Sequence, residues 1–232
     1  MAILTAATQR PVRWRRDLRV ACFWAALALA TIAVANEVIG RTALAALALP
    51  AALMAVRDLV RALGARTEGR IAELVARQLN NALGPDYAVL TEYQPRDRAG
   101  VVPLVVVGPA GVFVIEPRAE DASFGCYQDG WHIVGAQGLH HLSESPSRRA
   151  RENAGRVRSD ISGGGHIRTT VEAFVLLQRG RGDDCASSTV PVICGVEALT
   201  REIMSRAPKV EASAHRTRAL TDALTRPLAV IA

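Results

Sequence analysis

Lysine is almost absent from this chain. Lys209 is the only one in 232 residues, so arginine supplies nearly all the positive charge behind a formal net charge of +6. The glycine-rich run SGGGH at 162–166 therefore lacks the lysine of a phosphate-binding loop and reads as a flexible turn. Aromatic residues are scarce at 4%, which argues against a protein that grips single strands by stacking bases. The four cysteines, Cys22, Cys126, Cys185 and Cys194, have no CxxC spacing. That excludes a zinc ribbon and suits free thiols in a reducing compartment. His132, His140, His141, His166 and His215 are scattered, and the adjacent pair His140-His141 is expected on a surface loop. No internal repeat is evident.

Apolar residues are plentiful at 50%, against 22% charged, so the chain can bury one sizeable domain with an appendage. Two uncharged runs dominate the N-terminal quarter, VACFWAALALATIAVA at 20–35 and ALAALALPAALMAV at 43–56. Arg10, Arg13, Arg15, Arg16 and Arg19 precede the first, and Arg57 and Arg61 follow the second. Each run is a little short of the roughly 20 residues that span a bilayer. Snorkelling arginines and local thinning cover the difference. The arginine flanks predict a two-helix transmembrane hairpin over 20–57, kinked at Pro50, with both outer ends in the cytoplasm. The competing reading is a twin-arginine-like signal, WRRDLR, with an A-x-A cleavage site at Ala33–Ala35. On the hairpin reading residues 1–19 form a basic cytoplasmic N-terminus, 64–205 a soluble domain, and 206–232 a helical extension.

The soluble part has α/β periodicity. TEGRIAELVARQLNNALG predicts a helix that starts near Gly69 and stops at Gly84-Pro85. Strands are expected at 87–93, 101–107 and 112–116, with a turn at Gly108–Gly111. A hairpin is expected at 124–135 around Asp129-Gly130. The polar segment 143–162 reads as a helix, capped by Ser145 with Pro146 in its first position. Strands follow at 171–177 and 189–194, then two helices. GARTEG at 64–69 and ISGGGHIRTT at 161–170 are the expected flexible spots. This order fits a mixed sheet flanked by helices.

One stretch carries most of the functional information. VVPLVVVGPAGVFVIEPR at 101–118 ends on Glu116, Pro117 and Arg118, and strand alternation puts Glu116 and Arg118 on one face. With the Gly69 region, the Trp131 hairpin, the Pro146 helix bearing Asn153-Ala154, and the AFVLL strand, it resembles the nuclease-related domain (NERD) family. The resemblance covers about 64–203. It implies a restriction-endonuclease-like fold of the PD-(D/E)xK type, beside membrane segments. It also implies a site of acidic residues around a divalent metal, usually magnesium, with a lysine near them. The chain departs from that pattern at nearly every site position. Arg70 stands where the resemblance wants a glutamate, Pro103 where it wants an aspartate, and Arg118 where it wants the lysine. Arg149 replaces a glutamine after the helix proline. Glu116 alone matches a catalytic residue type. Arginine keeps the charge and can grip phosphate, but it cannot act as a base near neutral pH.

Three functions compete. The first is a membrane-anchored, catalytically degenerate NERD protein, needing no cofactor, that binds or scaffolds at the cytoplasmic membrane face. Its polyanion-binding candidates are Arg70, Arg118, Arg148, Arg149 and Arg151. The helix bearing the last three is otherwise an ordinary solvated basic face. The second is an active nuclease for DNA or RNA using Mg²⁺, with Glu116 joined by relocated acids, Glu68 or Glu73; Asp97 is a more distant choice. The third is a membrane-assembly partner whose hairpin is the working part. The partners expected are therefore the lipid bilayer and, beyond it, nucleic acid or a membrane protein.

Overall fold

The structure is a computed structural model that describes residues 3–6, 20, 22–26, 41–97, 100–135, 138–163, 169–206 and 214–225. The chain divides into two units, Gln9–Glu68 on its own, and Met1–Thr8 together with Gly69–Ala232.

The larger unit is an α/β fold with two sheets, the larger of them mixed and flanked by helices. The large sheet has the order β1-β2-β3-β4-β8-β10. Its strands are β1 (Ile3–Ala6), β2 (Ala88–Tyr93), β3 (Val102–Gly108), β4 (Gly111–Arg118), β8 (Val171–Leu177) and β10 (Val192–Cys194). The β2-β3-β4 run is antiparallel, and β1 joins β2, β8 joins β4 and β10 joins β8 in parallel. The small sheet has the order β7-β6-β5-β9, from β5 (Ser123–Tyr127), β6 (Gly130–Gly135), β7 (Gly138–His141) and β9 (Arg181–Asp184). The helices are α1 (Arg41–Ala82), α2 (Pro146–Gly163), α3 (Val196–Ser205) and α4 (Ala214–Thr225).

Central strands β3 and β4 are buried along nearly their whole length because both faces of the sheet are covered. That is why they read as continuous apolar runs rather than alternating ones. On one face Val75 and Leu79 of α1 and Leu199 and Ile203 of α3 pack on Leu104, Val106, Phe113 and Ile115. On the other, Val157 and Ile161 of α2 and Leu220 and Leu224 of α4 pack on Val105, Val107, Val112 and Val114. The C-terminal helix is thus part of this core rather than an appendage to it. Gly111 turns the β3-β4 hairpin with φ 143°, and a Cβ there would sit 2.6 Å from the Thr170 carbonyl oxygen. No other residue fits that corner.

Several expectations need correction. The helix expected to start near Gly69 begins at Arg41 and runs unbroken through Pro50 and through the GARTEG stretch. Alanine, leucine and arginine are strong helix formers, and their summed propensity outweighs two isolated glycines. At Gly69 the carboxylate oxygen Oε1 of Glu92 lies 2.8 Å from where a Cβ would stand, so a side chain there would only displace the end of Glu92. His140 and His141 belong to strand β7, not to a loop, and β9 was not expected at all. Those two are short edge strands made by pairing, with little alternation of their own. The strand expected over 189–194 shortens to Val192–Cys194. Residues 3–6, expected in a basic tail, pair with β2. Of the expected transmembrane hairpin, positions 27–40, which hold most of the first run and the A-x-A site, lie outside the described residues, as do the paired arginines 15–16. Among the described residues no helix is long and apolar enough to cross a membrane. The run at 164–168, expected to be flexible, also lies outside them.

In the smaller unit, residues 22–26 are helical and the rings of Phe23 and Trp24 meet edge to face at 5.8 Å. The described part of α1 in this unit exposes Leu53, Val56 and Val60, a stripe at helical spacing, with Val60 63% exposed.

Candidate functional site

Glu116 sits near the end of β4, opposite Val175 of β8, and Arg118 sits opposite Leu177. Val175 and Leu177 belong to one core cluster, so Glu116 and Arg118 share a side of the sheet, as alternation requires. That side faces α2. Glu116 is buried, 2% exposed, and the Arg149 guanidinium reaches it from the first turns of α2, with Nε 3.1 Å from Oε1. The same guanidinium holds Glu144 at 3.3 Å. Arg149 is placed by the start of its helix: Pro146 opens α2, and the Ser145 hydroxyl accepts a hydrogen bond from the Arg148 amide at 3.3 Å. Sequence reasoning found Glu116 and Arg149 separately but had no means of seeing that they form a pair.

The other candidate residues are not drawn to this spot. Arg118 makes its ion pair with Glu120, two residues on. Glu73 pairs with Arg77 on the exposed side of α1 at 2.6 Å. Arg70 is exposed on the same helix, and Glu68 is half-buried there. Helices α1 and α2 cover opposite faces of the large sheet, so Glu73 and Glu116 are not co-ligands. Asp97 pairs with Arg156 at 3.5 Å. Among the described residues no three acidic, histidine or cysteine side chains converge in a metal-holding group.

A carboxylate that the sequence reading passed over is Glu92. It occupies a left-handed backbone conformation, φ 52°, inside β2, between Thr91, which pairs with Leu104, and Tyr93, which pairs with Val102. Its side chain lies over Gly69. Burial first, and the neighbouring Glu73 carboxylate second, raise its pKa. No sequence signal marks a non-glycine residue at positive φ in the middle of a strand-like run.

The basic helix also changes meaning. Arg151 reaches Asp129 at 3.3 Å and donates to the Thr189 hydroxyl at 2.7 Å. Arg156 holds Asp97, and Arg158 donates to the Val171 carbonyl at 2.9 Å. Of Arg148, Arg149, Arg151, Arg156 and Arg158 on this helix, Arg148 alone shows neither an ion pair nor a side-chain hydrogen bond among the described residues. Most of this charge rivets α2 to the body of the fold. Binding of a short duplex by the full chain should therefore respond weakly to salt, with a slope of log K against log salt of about −2 or shallower. Arg148→Ala should reduce that slope by about 1. A slope steeper than about −4 would show that the paired arginines are released to phosphate.

Asp129 is the hub of a second buried network. It lies in the β5-β6 turn, where Gln128 and Asp129 both have positive φ, 48° and 63°. The Ser147 hydroxyl donates to it at 2.5 Å and the Thr189 amide at 3.1 Å, while the Trp131 indole donates to Ser147 at 2.9 Å. Burial would raise the Asp129 pKa, but the hydrogen bonds from Ser147 and Thr189 and the Arg151 charge outweigh it and hold the pKa below the ordinary value. This network pins the small sheet to the start of α2, the same turn that delivers Arg149. Comparison with protein-family models, with characterised proteins and with solved structures finds no match.

Proposed function

We propose that this chain is a membrane-anchored relative of the nuclease-related domains whose catalytic site has degenerated. It serves as a binding or scaffold module at the cytoplasmic face of the membrane. On this reading the larger unit is a restriction-endonuclease-like domain and the smaller unit carries the anchor as a two-helix hairpin.

The observation that carries the degenerate site is the buried Glu116–Arg149 pair. A magnesium ion needs several oxygen ligands. Here the one carboxylate of the expected type already faces a guanidinium, a fixed positive charge that repels a divalent ion. The neighbouring strand offers Pro103, which brings no oxygen-bearing side chain, and Arg118 cannot take the proton of an attacking water. The residues present do not fit a magnesium centre. What remains is a surface for a partner, of nucleic acid or protein chemistry, held near the membrane.

The test is a nuclease assay on the full chain with DNA and RNA, in Mg²⁺ and in Mn²⁺. No cleavage above background is expected, and Glu116→Ala should behave like the parent. Cleavage that vanishes in Glu116→Ala would promote the active-nuclease reading in its place.

A further inference from the structure

Cys126 lies on β5 and Cys185 directly follows β9, both in the larger unit. The sheet register brings them together. Strands β5 and β9 run parallel, and Gly125 pairs with Asp184. One step further along both strands stand Cys126 and Cys185. Parallel neighbours at one register position share a face, with Cα atoms about 5 Å apart, inside the range that a disulfide spans. The ladder sets this register through an irregularity: Phe124 pairs with Gly182 and Gly125 with Asp184, so Asp183 is an extra residue. Without it Cys185 would fall one step out and face the other side of the sheet. Both cysteines do turn inward. Cys126 belongs to the core cluster of Phe124, Trp131 and Leu177, and Cys185 packs against it.

The turn that follows β9 is fastened over this pair. The Ser187 hydroxyl donates to the Cys126 carbonyl, and the Ser188 amide donates to the Cys185 carbonyl at 3.1 Å. The Cys185 thiol donates to the Phe124 carbonyl at 3.5 Å. Burial first, and the nearby Cys126 sulfur second, push the Cys185 pKa up to about 11. Burial raises that of Cys126 as well. Thiols that hold their protons oxidise slowly, so the pair stays reduced until an oxidant persists. Cys194, the exposed competitor, ends β10 opposite Leu177 rather than opposite either of them.

We propose that Cys126 and Cys185 are a reversible dithiol site, oxidised by a small soluble disulfide, and that the bond between them locks the 185–189 turn onto β5. Cys185, the more open of the two, loses its proton and attacks one sulfur of the reagent, breaking the reagent's S–S bond and expelling one thiolate. Cys126 then loses its proton and attacks the Cys185 sulfur of the mixed disulfide, expelling the second thiolate. Two electrons leave the protein, and each expelled thiolate takes up a proton. The locked turn carries Thr189, which holds Asp129, so oxidation tightens the network that fixes the start of α2.

The test incubates the purified full chain with bis(2-hydroxyethyl) disulfide across a series from neutral to alkaline pH and maps the links by peptide mass. The parent and Cys194→Ser should both form the 126–185 disulfide, and dithiothreitol should reverse it. Its rate should rise about tenfold per pH unit, as the thiolate fraction of Cys185 grows towards its raised pKa. Cys126→Ser should stop at a mixed disulfide on Cys185. The bond closes a loop of about 60 residues, so the oxidised parent should melt about 5 °C or more above the reduced one. A 185–194 link in the parent, or a parent whose Cys126 and Cys185 stay free after prolonged alkaline incubation, overturns the pairing. A 126–185 link that leaves Tm unchanged or lowers it overturns the lock.

Discussion

Arg149→Ala should destabilise the fold by about 3 kcal/mol or more, because it strips a buried carboxylate of its guanidinium. Glu116 is 2% exposed, while Arg149 lies 3.1 Å away with a side chain 19% exposed. Removing the arginine leaves a charge in the interior, whereas removing both charges leaves polar groups of similar shape. The double variant Glu116→Gln/Arg149→Gln should therefore recover part of the loss, and Arg149→Lys should fall between, since lysine keeps the charge but not the fork that also reaches Glu144. For a chain of this size the single variant corresponds to a fall of roughly 6–12 °C in Tm. Denaturant unfolding of the parent, Glu116→Gln, Arg149→Gln and the double variant closes the cycle and measures the coupling directly. A cost below about 1 kcal/mol for Arg149→Ala would mean the pair does not hold Glu116, and the case for a site closed by its own arginine would fail with it.

The second large effect is expected at Asp129, whose carboxylate collects hydrogen bonds from Ser147, Thr189 and Arg151. Asp129→Ala should cost about 3 kcal/mol, since Ser147 is fully buried and hydrogen bonds to a charged group are the strong ones. Asp129→Asn tolerates the left-handed backbone and keeps one acceptor, so about half that loss is expected. The pH dependence has a definite sign. The folded pKa of Asp129 lies below its ordinary value. Its stabilisation is therefore complete above about pH 4, the unfolded value, and is lost as pH falls through the depressed folded value. Unfolding midpoints measured from pH 7 to pH 2.5 should show a smaller acid-side decline for Asp129→Asn than for the parent. Parallel declines would show that other carboxylates govern the acid limb.

These two networks meet at the start of α2, which explains why so much of the helix charge is spoken for. Arg149 turns inward to β4, and Arg151 turns to the β5-β6 corner. A sequence reader sees only a run of arginines there. The distinction between a solvated basic face and a set of internal rivets depends on which acids arrive from distant strands. Glu116 and Asp129 are separated from the helix by a sheet and two turns, and no local pattern encodes that encounter.

Much of the architecture was nevertheless legible. The valine-rich runs at 101–107 and 112–116 announce central strands, since only a sheet covered on both faces keeps continuous apolar residues at period two. Asp129-Gly130 marks its hairpin because the turn needs left-handed backbone. Ser145-Pro146 marks the start of α2 because a hydroxyl cap and a fixed φ suit that end of a helix. The sequence by itself also settled the scarcity of lysine, the two apolar runs with their arginine flanks, and the solitary acid of the expected type at Glu116. Tertiary structure alone decided the rest. It joined residues 3–6 to a strand more than eighty positions away, made strands of 138–141 and 181–184, bent Glu92 over Gly69, and set Arg149 against Glu116. Each of these depends on a contact between segments far apart in the chain. Such contacts form only once the core fixes the distances between them, and so local propensity is silent about them.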